Sequence, residues 1–285
     1  MSYFLTPLNQ QELRTIFDDI AIDVINYFLK KSVLAQPELI PGQSQLPIHI
    51  PKEHIEQWVV QAIGATSIGA GSYPIDLYKE DLGLGADVKM MSCKVSLDGI
   101  LLNADSGETS LAQKFDDSNF GEGVTLDQLF SSRSYETIWN AWKIIINNKY
   151  SGVIKQHHLS NLYYFFMLRA KDKFYLGGAK LNLNNIDRAT IDIPRSSNSS
   201  LWLNNLINPL FGNTKIYKSK KRLELRLRPK KWLEDNLLIE FTNDIIVPQK
   251  NIRDLLEENK LQEYIEEELI CQLVQENEEE EVSGN

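Results

Sequence analysis

Two short apolar runs, residues 75–78 and 86–93, flank a turn that contains Gly83 and Gly85. Runs of this length, bounded by turn residues, predict a pair of neighbouring strands. Of all features in the sequence this one constrains the fold most, because the strand period of two decides which side chains share a face. Any fold for this chain must therefore accommodate the charged side chains that the two strands bring together.

Three charged side chains in this stretch are predicted to meet. Asp87 and Lys89 are two residues apart and point to the same face of the second strand, and Asp76 lies on the first. Two converging carboxylates repel each other unless a divalent cation lies between them, and Mg²⁺ accepts a few carboxylate oxygens while it keeps several waters. With a lysine beside a metal-bound water, the group is equipped for metal-assisted hydrolysis of a phosphodiester. The alternative is that all three are surface charges.

The composition is that of an ordinary globular chain, with 285 residues, 42% hydrophobic and 24% charged. That length suits one large domain, or one domain with an appended piece. No apolar run approaches the roughly 20 residues that span a bilayer, and the N-terminus lacks a basic region followed by an apolar stretch. We therefore expect neither a membrane partner nor a secretory signal. The two cysteines, Cys93 and Cys271, lie far apart, which favours a reduced, cytoplasmic protein.

The net charge of −9 is unevenly distributed along the chain. After residue 253 there are twelve acidic residues and one lysine, a net charge of −11, which leaves +2 for residues 1–253. Within that part, residues 215–231 carry nine lysines and arginines against one acid. Such clusters supply phosphate contacts to DNA, although they also form the solvated face of a strand. The candidate DNA contacts are Lys218, Lys220, Lys221, Arg222, Arg226 and Arg228.

The remaining periodicities predict a mixture of helices and strands. The predicted helices are residues 9–31, 52–63, 110–115 and 135–146, with an acidic amphipathic helix from residue 252. The predicted strands are residues 99–102, a hairpin of 162–170 and 174–181, and 220–228. This order of elements favours an α/β or α+β chain. Its three parts are an N-terminal helix with a proline-rich loop (1–52), a central domain (53–250) and an acidic helical tail (251–285), with an end that we expect to be disordered.

The stretch around the two strands resembles the signature of the PD-(D/E)XK nuclease superfamily, which includes most type II restriction endonucleases. Residues 74–76 (Pro-Ile-Asp) stand for the first half of the signature, with one residue inserted between proline and aspartate. Residues 87–89 (Asp-Val-Lys) match the second half fully. The resemblance implies that Asp76 and Asp87 bind Mg²⁺, for which Mn²⁺ can substitute, and that Lys89 acts near the attacking water. It extends over roughly residues 53–170.

Two further side chains fit positions that many members of this superfamily fill. An acidic residue on the helix before the first strand often adds to the metal ligands, and Glu56 is the candidate, with Glu53 one turn earlier as the alternative. A glutamine or lysine on the helix after the catalytic strand is also common, and Gln113 is the candidate. The resemblance further implies an α/β fold with a restriction-endonuclease-like core, a mixed central sheet flanked by helices, and added N- and C-terminal helices.

Together with the basic residues, the resemblance implies an Mg²⁺-dependent, sequence-specific endonuclease of the type II restriction kind, acting on double-stranded DNA. Because cutting both strands needs two active sites, it also implies a homodimer. Two alternatives remain open. One is a nuclease of the same superfamily that acts in repair or phage defence, and the other is a nucleic-acid-binding protein without catalytic activity.

Overall fold

A computed structural model describes residues 3–44, 46–68, 73–112, 123–241 and 246–274 of the chain. The strands β1 to β12 are, in chain order, Leu5–Pro7, Thr66–Ser67, Leu77–Lys79, Leu84–Ser92, Ser106–Ala112, Asn161–Ala170, Lys173–Leu181, Thr190–Ile191, Ser200–Asn204, Gly212–Tyr217, Arg222–Leu227 and Leu238–Phe241. The helices α1 to α9 are Gln10–Arg14, Asp19–Leu34, Lys52–Ala62, Leu126–Ser131, Tyr135–His157, Pro229–Glu234, Ile252–Glu257, Leu261–Glu263 and Ile270–Val274.

The central sheet has the strand order β1-β7-β6-β4-β3-β2, and β12 also pairs with β7. Strands β4 and β6 run parallel, whereas β3 and β7 are antiparallel to their neighbours, so the sheet is mixed. A parallel pair needs a long crossover connection, and α5 lies on the connection between β4 and β6. The prediction of an α/β chain with a mixed central sheet flanked by helices is confirmed at this level.

A second sheet, with the order β5-β11-β10-β9-β8, begins with the strand that directly follows β4. Two apolar cores result. One joins α5, one face of the central sheet and the second sheet, with Trp142, Phe166 and Leu225 among its buried residues. The other joins the opposite face of the central sheet to α2 and α3, and includes Phe165 and Trp58. Successive residues of a strand face opposite sides, which is why Phe165 and Phe166 serve different cores.

The predicted helix over residues 9–31 is in fact two helices. Asn9 and Glu12 form the expected capping box at the start of α1. The prediction of one continuous helix is wrong, because Asp18 caps a new helix by accepting a hydrogen bond from the backbone N–H of Ala21 at 2.8 Å. The first residues are also part of the central domain, since β1 pairs with β7 and α2 lies in the second core.

Two other predicted elements are wrong. Residues 99–102 form no strand, only a single bridge between Val95 and Leu101. Residues 110–112 belong to β5 and not to a helix, because they pair with β11 and bury Leu111 and Ala112. Pairing with a strand more than a hundred residues away overrides the local preference of this stretch.

The other predictions agree with the structure more closely. The hairpin of β6 and β7, the strand β11 and helix α3 are confirmed. Helix α5 starts where predicted but runs on to His157, well beyond residue 146. In the tail, Tyr264 is buried and its hydroxyl donates to Glu38 at 3.2 Å, so the acidic helices contact the body. No described helix is both long and apolar enough to cross a membrane.

Candidate active site

The tight turn between β3 and β4 positions the two acids. Gly83 has a positive φ of 53°, which allows the chain to reverse there. Asp76 lies just before β3, where its backbone N–H donates to the carbonyl of Ala86 at 2.9 Å. Its carboxylate also accepts a hydrogen bond from the backbone N–H of Val88 at 2.7 Å. Asp76 is therefore fixed against the middle of β4, beside Asp87.

The structure brings the three charged side chains together, as the strand pattern predicts. The Lys89 ammonium donates to Oδ1 of Asp87 and lies 3.9 Å from Oδ2 of Asp76. Asp87 is 5% exposed, whereas Lys89 and Asp76 are partly exposed. The group therefore has a buried floor, formed by Asp87, and a side that is open to solvent.

The surroundings of the group change its acid–base properties. Burial raises the pKa of Asp87 to about 7, although the Lys89 ammonium acts in the opposite direction, and the nearby charge of Asp76 raises it further. Burial also acts to lower the pKa of Lys89, but the charges of Asp87 and Asp76 outweigh it and leave the pKa above the ordinary lysine value. Lys89 is therefore positively charged at neutral pH, and it lies beside a carboxyl group whose pKa is close to neutral.

A second lysine, which the sequence did not reveal as a candidate, reaches the same carboxylate. Lys149 on α5 places its Nζ 3.9 Å from Oδ2 of Asp87. The same ammonium donates to the carbonyl of Leu111 at 3.2 Å and to the hydroxyl of Tyr150 at 3.1 Å. Burial lowers the pKa of Lys149, and the charge of Asp87 offsets part of that effect. Asp87 thus lies between two lysines from different elements.

Behind Lys149 lies a buried pair of tyrosines. The hydroxyls of Tyr150 on α5 and Tyr164 on β6 are hydrogen-bonded to each other, and Tyr164 donates to the carbonyl of Leu111 at 3.1 Å. Burial raises the pKa of both tyrosines well above the ordinary value, so both stay neutral. Tyr164 is also the residue opposite Asp87 in the parallel pairing of β4 and β6. The pair holds α5, β5 and β6 together beneath the acids.

The segment before Asp76 is anchored to the end of α5. The hydroxyl of Tyr73 lies 2.8 Å from Nε2 of His157, and the His157 ring packs against Tyr78 with 4.5 Å between centroids. These contacts of His157 show how the end of α5 helps to position Asp76.

Of the two glutamates considered on α3, Glu56 is the one that interacts with the site. Glu56 is half-buried. Burial and the charges of Asp87 and Asp76 have the larger effects on the pKa of Lys89, and the negative charge of Glu56 also raises it. Glu53, one turn earlier on the same helix, is exposed. The electrostatic contact favours Glu56 as the third acid.

The prediction that Gln113 contributes to the site falls outside the described residues. The helix on which it was expected does not begin at residue 110, because β5 occupies residues 106–112. The helix that packs beneath the site is α5, and the side chain that it directs to Asp87 is Lys149. Lys149 lies beyond residue 146, where the predicted helix ends, so no pattern in the sequence places it at the site.

The chemistry of the site residues decides whether Mg²⁺ fits this site. Among the described residues, no group of three or more histidine, cysteine or acidic side chains is arranged to hold a metal on its own. Mg²⁺ does not require such a group, because one or two carboxylates together with waters and substrate phosphates commonly bind it. Asp87 is buried, and both its burial and the nearby charge of Asp76 disfavour the ionised form of its carboxyl group. A divalent cation would relieve both effects, so the donor set fits Mg²⁺.

The positive charge of the basic segment, residues 215–231, is partly neutralised in the fold by acidic residues from other parts of the chain. Glu108 on β5 accepts hydrogen bonds from Lys220, Arg222 and Arg226, and these contacts, led by the one with Lys220 and opposed in part by desolvation, lower its pKa to about 2. Further ion pairs of the segment are those of Lys218 with Asp127 at 3.1 Å, Arg228 with Asp105 at 3.0 Å, Lys231 with Asp235 at 2.6 Å, and Lys220 and Arg222 with Glu224. The DNA-contacting role of Lys218, Lys220, Lys221, Arg222, Arg226 and Arg228 stays a prediction.

Comparisons of this chain with models of protein families, with curated proteins and with solved structures find no match.

Proposed function

We propose that the protein is an Mg²⁺-dependent endonuclease that hydrolyses phosphodiester bonds of double-stranded DNA with sequence specificity, in the manner of a type II restriction enzyme. The observation that carries this proposal is the convergence of Asp76, Asp87 and Lys89 on one face of β3 and β4. The resemblance of residues 74–76 and 87–89 to the PD-(D/E)XK signature supports it. Lys149, on the helix that packs beneath the site, adds a cation where many members of that superfamily carry a lysine or glutamine.

Each residue has a physical role in this proposal. Asp76 and Asp87 would hold Mg²⁺, with Glu56 in reach of the same group, and the bound ion would supply Lewis acidity toward the phosphate and toward water. Lys89 faces the open side, where its ammonium would orient the attacking water and stabilise the charge that develops on the phosphate. Lys149 stabilises the ionised form of Asp87 from below.

Lys149→Met is expected to lower the rate of DNA cleavage roughly 10- to 100-fold, the usual effect of removing a group that orients a metal ligand. Methionine keeps the length and apolar stem of the side chain but removes the charge beside Asp87. The measurement is the single-turnover cleavage rate at saturating DNA. Lys155→Met is the matched control, because Lys155 is an exposed lysine of the same helix. Equal cleavage rates for wild type and Lys149→Met would exclude Lys149 from the site.

Glu56→Gln and Glu53→Gln form a matched pair one helical turn apart. Because Glu56 acts on Lys89 and Glu53 is exposed, we expect Glu56→Gln to raise the Mg²⁺ concentration for half-maximal cleavage roughly tenfold and Glu53→Gln to leave it unchanged. The measurement is an Mg²⁺ titration of the cleavage rate. The reverse result would assign the third acid to Glu53.

Digestion of phage-lambda DNA distinguishes the classes of function. Discrete fragments that appear with Mg²⁺ and not with EDTA would establish a sequence-specific endonuclease. A smear would indicate a nuclease without a fixed recognition sequence, as expected in repair or phage defence. Intact DNA with Mg²⁺ and with Mn²⁺ would refute the catalytic proposal and favour a binding protein. The homodimer that cutting both strands requires is tested by the molecular mass in solution.

A further inference from the structure

A row of polar residues crosses the outer face of the second sheet. In the strand register, Trp202 on β9 is opposite Lys215 on β10, Lys215 is opposite Glu224 on β11, and Glu224 is opposite Ser110 on β5. The inner face of the same strands is apolar and belongs to the first core, where Leu201, Ile216 and Leu223 are fully buried. The row is therefore on the face opposite the apolar core, although Lys215 and Glu224 are themselves buried there.

Lys215 is the unusual member of this row. It is 7% exposed, and its Nζ lies 4.0 Å from the centre of the Tyr217 ring and 4.7 Å from the centre of the Trp202 ring. Within the described ranges, the structure gives this ammonium no hydrogen-bond acceptor and no carboxylate within 4.0 Å. Ring faces stabilise a cation but use none of its three N–H donors, so the donors of Lys215 are free to meet a ligand.

The acid opposite Lys215 in the strand register is bound by other cations through one of its two oxygens, whereas its Oε2 has no hydrogen-bond partner within the described ranges. Glu224 is fully buried, and its Oε1 accepts hydrogen bonds from Lys220 and Arg222. A third cation, Arg195, packs its guanidinium 3.8 Å from the centre of the Trp202 ring and is 49% exposed. Lys215 and Arg195 thus place two positive charges around one indole ring, and within the described ranges the one ion pair that either makes is that of Arg195 with Asp192, at 4.0 Å.

We propose that Lys215, Trp202 and Tyr217, with Arg195 at the outer side, form a pocket that binds a phosphate of the DNA backbone. The Lys215 ammonium would donate to the phosphate oxygens, and the two rings would give an apolar surface to the adjoining deoxyribose. The proposal deepens the proposed nuclease function and rests on it for the identity of the ligand. It also differs from the contacts predicted from the basic segment, where the charges are balanced by Glu108, Asp105 and Asp127.

The position of the pocket suits a substrate that also reaches the candidate active site. Ser110, the first residue of the row, is next to Leu111, whose carbonyl accepts the hydrogen bond from Lys149. With strands about 4.8 Å apart, Lys215 on the second strand from β5 is about 10 Å from Ser110. That separation corresponds to the axial rise of about three base pairs of duplex. The pocket and the candidate active site are thus linked through β5, the strand that carries both Ser110 and the Lys149 contact.

The test is the salt dependence of DNA binding by the full-length protein, in EDTA to prevent cleavage. The probe is a labelled duplex of arbitrary sequence, since phosphate contacts do not depend on sequence. Lys215→Gln is expected to weaken binding roughly tenfold and to reduce the slope of log K against log salt concentration by about 0.9, the value for one lost phosphate contact. Lys215→Arg is expected to retain the slope, because it keeps the charge.

Two further variants keep the result decisive. Lys31→Gln, an exposed lysine of α2 on the opposite side of the central sheet, is the matched control and should leave the slope unchanged. Arg195→Gln changes an exposed side chain, so it tests the pocket even where Lys215→Gln does not fold, and it should also reduce the slope. Inorganic phosphate, titrated at constant ionic strength, distinguishes a free phosphate ligand from the DNA backbone.

The outcomes separate this proposal from the nuclease proposal. A slope that is unchanged in Lys215→Gln and Arg195→Gln, while the protein cleaves DNA, overturns the pocket and leaves the nuclease standing. Binding of inorganic phosphate that depends on Lys215, with no change in DNA affinity, overturns the DNA ligand. Absence of any DNA binding by the wild type overturns it as well. Reduced slopes in a protein that fails to cut DNA would retain the pocket and refute the catalytic site.

Discussion

Lys89→Met is expected to reduce DNA cleavage roughly a thousandfold or more, which is the size of effect that follows the loss of a charged group acting on the reacting phosphate. The Lys89 ammonium contacts Asp87 and lies 3.9 Å from Asp76, on the side of the group that is open to solvent. Methionine fills the same space without the charge, so folding and DNA binding should remain close to those of the wild type. Single-turnover cleavage and binding in EDTA measure the two quantities separately.

Lys94→Met is the matched control for this substitution. Lys94 follows β4 on the same chain segment, but its side chain is exposed. We expect its cleavage rate to equal that of the wild type. A Lys89→Met variant that cleaves at an undiminished rate would show that the reaction does not use this group, whatever the protein's affinity for DNA.

Asp87→Asn is expected to stabilise the protein at high pH in the absence of a divalent cation. Burial raises the pKa of Asp87 from 3.8 in the unfolded chain to about 7 in the fold. The folded state therefore binds a proton that the unfolded state has released between these values, and the free energy of unfolding falls as the pH rises from about 4 to about 7. Asparagine cannot ionise, so it removes this loss. The expected gain is therefore largest above pH 7 and nearly absent near pH 4.

Urea denaturation in EDTA near pH 4 and at pH 8 measures this difference. Asp98→Asn, at an exposed acid, is the control and should be no more stable than the wild type at either pH. Addition of Mg²⁺ at pH 8 should stabilise the wild type but not Asp87→Asn, because a ligand that binds only the folded state raises its stability. If the free energy of unfolding depends on pH in the same way for wild type and Asp87→Asn, the pKa of Asp87 is not raised in the folded protein.

The centre of the site could be predicted because it is encoded locally. A turn at Gly83 and a period of two are enough to place Asp87 and Lys89 on one face of β4 with Asp76 beside them. Capping works in the same way, since Asn9 and Glu12 are three residues apart and meet wherever the helix forms. Features of this kind need no knowledge of the rest of the chain.

Other parts of the site depend on distant pairing and could not be predicted. Lys149 reaches Asp87 only because α5 crosses beneath the sheet before β6 pairs with β4. Residues 110–112 form a strand because β11 lies beside them. The same pairing places Glu108 among the cations of the basic segment, so a count of charges along the sequence overstates the positive field of that surface.

The most direct test of the central claim is the cleavage of phage-lambda DNA by wild-type protein and by Asp76→Asn, prepared identically and assayed side by side with Mg²⁺ and with EDTA. Asparagine preserves the shape of the side chain and its contact with the backbone of Val88 while it removes one carboxylate from the group. We expect Mg²⁺-dependent fragments with the wild type and intact DNA with Asp76→Asn. Equal cleavage by both proteins, or intact DNA with both, would contradict this expectation.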